Sequence, residues 1–261
     1  NTVKSFNHGS VMVPVSKQKV DSEKLFEVVK SAQKKFNIPV FSTETGYSSA
    51  GIDLGSNYFK INKKVKVAIL IGDGVNSYEA GEVWHLLDTR VHIPMTKIRL
   101  NQFNRTSLDK YTTLVMVSGT YNQISELGLK NIKDWVGKGN TLITIGTASS
   151  WAIKKEIVKE SLVETKKDTI FSRKRYIDAR EYSGRERIGG SILKADLDLT
   201  HPLAFGYRDQ SIPVYKNNNV FLSKSKSHYS TVAMYSKNPH IDGYVSKNNM
   251  ENNLKGSASL I

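Results

Sequence analysis

The sequence predicts a doubly wound α/β fold built on a mostly parallel β-sheet. From residue 63 onward, apolar runs of strand length alternate with amphipathic helical segments, a spacing that favours parallel strands joined by crossover helices. The predicted strand 65–71 contains the uninterrupted apolar run 67–71, which is typical of a strand buried on both faces. The composition fits a globular fold, because 39% of the 261 residues are hydrophobic and 24% are charged.

Residues 1–62 are expected to form an N-terminal β-α-β extension that lengthens the sheet or bridges to another domain. Strands are predicted at 11–15 and 38–41, on either side of a helix at 23–36 that Asp21 or Ser22 can cap. The apolar residues at helical spacing, which we expect on the inner face of this helix, are Leu25, Phe26, Val28, Val29, Ala32 and Phe36. A stretch rich in glycine and serine follows at 46–56 and precedes the second domain.

The second domain is predicted to span residues 63–261. After strand 65–71, the expected elements in chain order are a helix at 78–87, strands at 95–100 and 112–117, a helix at 124–136, a strand at 141–145 and a helix from about Ser149. Residues expected in the core from these helices are Trp84, Leu86, Leu87, Ile124, Leu127, Ile132, Trp135 and Val136. Beyond residue 175 the pattern changes: residues 185–193 suggest a turn into a strand, and residues 216–255 suggest loops around short strands near Val220, Val232 and Tyr244.

Both termini suggest a fragment of a longer protein. Asn1 is not an initiator methionine, and residues 257–261 have the pattern of a strand that begins without a following turn or helix. We therefore expect the second domain to be truncated at its C-terminus.

Charge and cysteine content exclude several classes of site. The chain has no cysteine, which excludes disulfides, thiolate metal sites and cysteine nucleophiles. Its net charge is +14, but the densest basic segment, 154–175, is interleaved with acidic residues in the manner of a solvated helical face, and no nucleic-acid recognition motif accompanies it. We predict no nucleic-acid partner. No apolar run approaches the roughly 18 residues of a membrane span.

Polar side chains follow three of the predicted parallel strands, where ligands of open α/β sheets are bound. The candidate ligand-binding residues are Asp73, Asn76, Ser118, Thr147 and Ser149. Gly72 and Gly74 resemble a phosphate-binding turn, but a dinucleotide site also needs an acidic residue at the end of the next strand, and residues 100–101 supply none. A tight strand-to-helix turn is the favoured interpretation.

A metal site is not predicted in this chain. Glu82 and His85 lie one helical turn apart, a spacing found in metal sites. A mononuclear zinc site needs about three protein ligands, however, and the other histidines offer no obvious partner. We expect this helix to have a structural role.

The segment 146–150 is similar to the nucleophile elbow of class I glutamine amidotransferase-like, flavodoxin-like folds. In that family a sharp turn after the corresponding strand carries a nucleophilic cysteine, and Ala148 occupies its place here as a degenerate nucleophile position. His201 and Pro202 resemble the family's His-Pro-Glu element, but Leu203 replaces the carboxylate. The resemblance therefore implies no catalytic residues in this chain.

A broader resemblance covers nearly the whole chain, from about residue 9 to the end. The matching stretches are VAILIGDG at 67–74, YEAGEVWHLLD at 78–88, LDKYTTLV at 108–115, IKDWV at 132–136 and THPLAFGY at 200–207. Their order and spacing resemble the C-terminal, amidotransferase-like region of bacterial zinc carboxypeptidases. The family's His-x-x-Glu zinc pair is missing, since the nearest approach is His85-Leu86-Leu87-Asp88.

This resemblance implies a non-catalytic accessory domain of an exported, periplasmic or extracellular zinc metallocarboxypeptidase. Its partner would be an upstream peptidase domain of the same polypeptide, and zinc, the one cofactor implied, would be bound there. Two alternatives stay open at this point. One is a small-molecule or carbohydrate-binding module without chemistry, and the other is a hydrolase that uses Ser149 or a metal held by Glu82 and His85.

Overall fold

The computed structural model describes residues 4–164 and 173–261. Part of the basic segment 154–175, including Lys166 and Lys167, lies outside these residues, so the predicted helical face there is described only at its ends. The chain divides into two compact units, Asn1–Lys63 and Lys64–Ile261.

A four-stranded parallel sheet forms the first half of the larger unit. Its strands are β1 (Val67–Ile71), β2 (Met95–Arg99), β3 (Thr113–Met116) and β4 (Thr141–Thr144), in the order β2-β1-β3-β4. All three pairings are parallel, with Ala68 opposite Thr96 and Leu114, and Val115 opposite Ile143. The predicted α/β class with a parallel sheet is confirmed to this extent.

Helices cover both faces of this sheet. They are α2 (Ser77–His85), α3 (Glu126–Gly137) and α4 (Thr147–Lys154). On one face, Leu70 and Leu114 pack in a cluster with Ile132 of α3 and Ala148 of α4. On the other face, Ile69 packs with Ala80 of α2. The side chains of β1 are buried on both faces of the sheet, which explains the continuous apolar run in this strand.

The second half of this unit forms a separate antiparallel sheet. A short helix, α5 (Ala179–Arg185), precedes strands β5 (Ser191–Leu197), β6 (Ser211–Lys216), β7 (Ala233–Gly243) and β8 (Ala258–Leu260), which lie in the order β6-β5-β7-β8. The prediction of a mostly parallel sheet is therefore correct only for the first four strands. β6 was missed, and β7 is much longer than the short strands expected around Val232 and Tyr244. Near Val220 there are only isolated bridges at Leu222.

The N-terminal unit contains helix α1 (Ser22–Phe36), and Asp21 caps it by accepting a hydrogen bond from the backbone N–H of Lys24 at 2.7 Å. The predicted strands at 11–15 and 38–41 are wrong, because no strand forms in residues 4–62. Each segment contains a proline, Pro14 or Pro39, which cannot donate a ladder hydrogen bond. The expected inner face of α1 is only partly covered, since Leu25, Val29 and Ala32 are half-buried. No residue of α1 is fully buried, and Phe26 and Phe36 are both 64% exposed.

Three side chains expected in the core of the larger unit are exposed instead. Leu127 lies on the outer side of α3, and Leu86 belongs to a π-helix at Leu86–Val91 whose wider turn shifts the register after α2. Trp84 is half exposed and its ring lies 3.5 Å beneath the Lys97 ammonium. Among the residues described, no helix has the length and hydropathy to cross a membrane.

Candidate functional site

The loops after β1 and β3 are joined by backbone hydrogen bonds at the carboxyl edge of the parallel sheet. Asn76 N donates to Ser118 O at 2.8 Å and Thr120 N donates to Gly74 O at 2.7 Å. A Cβ on Gly119 would lie 2.5 Å from Gly74 O, so this close approach of two backbones requires glycine. The parallel topology thus brings Asn76 and Ser118 together, as the sequence predicts for strand ends.

Asn76 and Glu79 fix the start of α2 against β3. The Asn76 side chain accepts hydrogen bonds from Tyr78 N and Glu79 N, which is the N-cap arrangement. Glu79 is buried, and its Oε2 accepts a 2.8 Å hydrogen bond from Ser118 N. Sequence analysis missed Glu79, although the spacing Asn76-x-x-Glu79 is that of a capping box and was available as a signal.

Gly146 is the strained residue in the turn that leads from β4 into α4. Gly146 has φ 59° and ψ −126°, a conformation that L side chains rarely adopt. A Cβ at Gly146 would lie 2.1 Å from Ser118 Oγ, so the serine hydroxyl already fills the space that a side chain would need. The tip of the elbow is therefore a residue without a side chain.

Thr147 links this elbow to the loop after β3. Its Oγ1 accepts a 2.9 Å hydrogen bond from Gly119 N, and its backbone N donates to Ser118 Oγ at 3.2 Å. Thr147 is exposed and Ser118 is partly exposed, so both polar groups border solvent while bonded to each other. Thr147 and the loop residues Ser118 and Gly119 thus form a small polar surface whose groups are hydrogen-bonded to one another.

Ala148 and Ser149 lie in the first turn of α4, so the alignment of Ala148 with the nucleophile position is corrected: the strained residue of the turn is Gly146. Ala148 is fully buried and packs in the core cluster under the sheet. Ser149 Oγ donates to the backbone oxygen of Thr144 at 3.1 Å and lies 3.0 Å from Thr144 Oγ1. These contacts tie Ser149 to the end of β4, and its hydrogen-bond partners in the described residues include no imidazole or carboxylate.

Asp73 contributes through its backbone, since Asp73 O accepts a 3.1 Å hydrogen bond from Gln123 Nε2. Beneath the site, the buried Tyr121 hydroxyl donates to Val117 O. Burial, with a further contribution from the Glu79 carboxylate, raises the pKa of the Tyr121 phenol above its ordinary value. This phenol is therefore a neutral hydrogen-bond donor that supports the end of β3.

The loop after β6 also approaches the elbow, through residues that the sequence analysis missed. Asn218 Nδ2 lies 3.5 Å from the position a Gly146 Cβ would take. Asn218 Oδ1 accepts a 3.2 Å hydrogen bond from Lys216 Nζ, and this ammonium also donates to Val220 O at 2.6 Å. Lys216 is only 6% exposed, and burial lowers its pKa to about 8.

Glu82 and His85, which the sequence offers as possible metal ligands, have no third ligand beside them within the described residues. Glu82 and His85 are both exposed on α2, and no group of three or more His, Cys, Asp or Glu side chains placed to hold a metal occurs within residues 4–164 and 173–261. His201 caps a short 3₁₀ turn by accepting a hydrogen bond from Leu203 N at its Nδ1. This hydrogen bond lies within the turn itself.

Neither a protein-family model nor a curated protein matches the chain. The class that fold and site define is a mixed α/β protein with a polar, self-bonded elbow at the carboxyl edge of its parallel sheet.

Proposed function

We propose that this chain is a non-catalytic accessory region of a larger, exported bacterial zinc metallocarboxypeptidase, with an amidotransferase-like, flavodoxin-like parallel sheet. The order and spacing of the five matching sequence stretches support the proposal, and so does the strand order β2-β1-β3-β4 with helices on both faces. The region would pack against the upstream peptidase domain, stabilise it or shape its substrate cleft.

The observation that carries the non-catalytic part is the elbow at Gly146. Nucleophilic catalysis on such a turn needs a side chain at the strained tip, within reach of an activating base. Gly146 offers no side-chain atom, and Ser118 Oγ fills the space beside it. The two neighbouring hydroxyls, Thr147 and Ser149, are engaged by backbone groups.

Zinc would be held by the upstream domain, because the described residues of this chain do not fit it. Glu82 and His85 supply two ligands at most, and both are exposed to solvent on α2. A catalytic zinc site takes about three protein ligands and keeps one open position. No step of peptide hydrolysis is therefore assigned to residues of this chain.

The first test is to determine the coding region upstream of Asn1. We expect an in-frame His-x-x-Glu motif followed by a histidine well downstream, which together would make the zinc site of the peptidase domain. A start codon close to Asn1 would overturn the proposal.

A second test measures chemistry in the chain itself. The purified chain, incubated with zinc, should hydrolyse neither a blocked dipeptide nor an ester above background, and Ser149→Ala and Asp73→Ala should change nothing. Hydrolysis by the unsubstituted chain that disappears in Ser149→Ala would contradict a non-catalytic role. Stoichiometric zinc retention that is lost in His85→Gln would contradict the assignment of the metal to another domain.

A further inference from the structure

A polar cleft of about 420 Å³ lies on the antiparallel-sheet half of the larger unit, outside the elbow. Its walls are the end of α5, with Arg185 and Glu186, and the segment 244–252 that follows β7. This volume falls within the range of small-molecule sites, roughly 300–1,000 Å³. Because its lining is mostly polar, the cleft suits a ligand that makes hydrogen bonds.

The Glu186 carboxylate is one of the lining groups of the cleft and accepts several hydrogen bonds. Glu186 Oε2 accepts hydrogen bonds from Ser246 Oγ at 2.6 Å and Asn248 Nδ2 at 3.2 Å, while Oε1 accepts from Arg185 Nε at 3.3 Å. The hydrogen bond from Ser246, more than those from Asn248 and Arg185, keeps the pKa of the Glu186 carboxyl below its usual value. The Glu186 carboxylate is therefore an ionised hydrogen-bond acceptor whose orientation is held by its three donors.

Two side-chain amides, one exposed and one buried, hold the backbone of Glu186. Asn219 Nδ2 and Asn249 Nδ2 each donate to the backbone oxygen of Glu186 at 2.6 Å. Asn249 is 2% exposed and its Oδ1 accepts from the equally buried Asn253 at 2.7 Å. Rearranging the buried pair Asn249 and Asn253 would leave a buried amide unpaired, which favours the arrangement described. The cleft is thus organised before any ligand arrives.

The charges around the cleft cancel. Its lining contains two cations, Arg185 and Lys247, and two carboxylates, Glu186 and Glu251, in a chain whose net charge is +14. Lys247 and Glu251 lie 3.9 Å apart. An anionic ligand would meet the carboxylates and a cationic ligand would meet the guanidinium and ammonium groups, so the balance favours a neutral ligand.

Donors, acceptors and one aromatic face complete the lining. Asn252 Nδ2 donates to Asn248 Oδ1 at 2.8 Å, which aligns two side-chain amides on one turn with an acceptor and a donor to spare. Tyr244 also lines the cleft and is 59% exposed, so it presents a flat apolar ring with a polar hydroxyl. Vicinal hydroxyls on a ring with an apolar face complement this combination.

We propose that the cleft between Glu186 and the segment 244–252 binds a neutral saccharide, with Tyr244 against the sugar face and Asn248 and Asn252 on its hydroxyls. The proposal is independent of the elbow and of the peptidase assignment, so either can fail without the other.

The test is an NMR titration of the ¹⁵N-labelled full chain with maltotriose, cellotriose and chitotriose. We expect at least one trisaccharide to shift the Asn248 and Asn252 side-chain amides saturably, with a Kd on the order of 1 mM. Trigalacturonate and the dipeptide Ala-Ala serve as charged and peptidic comparisons, and we expect neither to shift these resonances more than the neutral sugars do.

Substitutions separate a built site from weak surface contact. Tyr244→Ala and Asn252→Ala should each weaken binding about ten-fold. Tyr229→Ala removes a tyrosine that is 87% exposed and does not line the cleft, so it should leave binding unchanged. Unchanged backbone spectra outside the cleft would establish that each variant is folded. Absence of saturable shifts up to about 10 mM, equal weakening in Tyr229→Ala, or preferential binding of the charged or peptidic probe would each overturn the proposal.

Discussion

Gly146 meets two independent constraints that only glycine satisfies. Its φ of 59° combined with ψ −126° is strained for any L side chain, and a Cβ would collide with Ser118 Oγ. The dihedral angles are a local constraint, set by the turn itself. The contact with Ser118 is non-local, because Ser118 follows the neighbouring strand β3.

We expect Gly146→Ala to lower the free energy of unfolding by about 2 to 4 kcal/mol, because backbone strain and the clash add. Gly137→Ala is the matched control, since a Cβ at Gly137 meets no atom within 4 Å and the change is expected to be neutral or stabilising by about 0.5 kcal/mol. The measurement is urea unfolding of both variants. The double variant Gly146→Ala/Ser118→Ala should lose less than the sum of the single changes.

If Gly146→Ala is tolerated as well as Gly137→Ala, the turn between β4 and α4 does not have the geometry described. If the double variant shows simple additivity, the Ser118 hydroxyl does not occupy the space beside Gly146.

Lys216 makes stability depend on pH. Its pKa is about 8 in the folded chain, whereas an unfolded lysine titrates near about 10.4. Between these values the unfolded chain binds a proton that the folded chain has released, so the free energy of unfolding should rise with pH across this window, by up to about 3 kcal/mol. The rise should be missing in Lys216→Met.

The experiment compares urea unfolding from pH 7.5 to 10 in the unsubstituted chain, Lys216→Met and Lys194→Met. Lys194 is exposed on β5, so its replacement should keep the pH dependence. The buried phenols Tyr121 and Tyr235, whose pKa values are raised, contribute equally to all three chains and cancel in the comparison. A parallel pH dependence in all three would show that Lys216 is solvated.

At the scale of elements, one carboxylate adds a side-chain hydrogen bond between α2 and the end of β3, beside the apolar packing of α2 on the sheet. Glu79 accepts from Ser118 N at the end of β3, and it lies in the first turn of α2, where the helix dipole favours a negative charge. Removing it leaves the partly buried Ser118 N–H without this protein acceptor.

Glu79→Ala should cost about 1 to 3 kcal/mol of unfolding free energy, and Glu79→Gln should cost less because an amide oxygen still accepts. Glu82→Ala is the control on the same helix, because Glu82 is exposed. Amide hydrogen exchange at Ser118 should accelerate in Glu79→Ala and stay slow in Glu82→Ala. Equal costs for the two alanine variants would exclude the proposed attachment.

At the scale of the whole molecule, burial is confined to the larger unit. Every buried residue in the described parts of the chain lies at or beyond Val67, and the N-terminal unit has none. Hydrophobic burial is the dominant favourable term in folding, so the two units should differ in stability.

We expect residues 64–261 alone to unfold cooperatively with a urea midpoint close to that of the full chain. The denaturant slope should fall only slightly, since no residue within 4–63 is buried. Limited proteolysis of the full chain should yield a resistant fragment that begins between about residues 37 and 66. Loss of cooperative unfolding in the shortened chain would show that the N-terminal unit is required for the core.

The helices and strands from β1 to α4 were predictable because their signals are local. Apolar periodicity located β1, β2, β3 and β4 to within about two residues, and glycine or proline punctuation located the turns. The same local signals placed α1 correctly but not its environment, because an amphipathic pattern specifies a face without specifying what covers it. β6 and the full length of β7 escaped because an antiparallel strand is defined by its partners and its register.

The candidate site divides in the same way. Asn76, Ser118 and Thr147 were predicted at strand ends, and parallel pairing brings them together. The hydrogen bond of Ser149 to Thr144 depends on a side-chain rotamer within the turn. The contact of Glu79 with Ser118 and the approach of Asn218 to Gly146 join segments that are distant in sequence.

The sequence alone determined the class of the first sheet, the order of its elements and the loops that carry polar groups, because hydrophobic period and turn chemistry act over a few residues. Only the tertiary structure decided that Gly146 is the strained residue of the elbow, that Lys216 is buried, and that Glu186 lines a cleft together with residues of the segment 244–252. Those outcomes depend on which distant groups exclude water from one another, and that information exists only once the chain has folded.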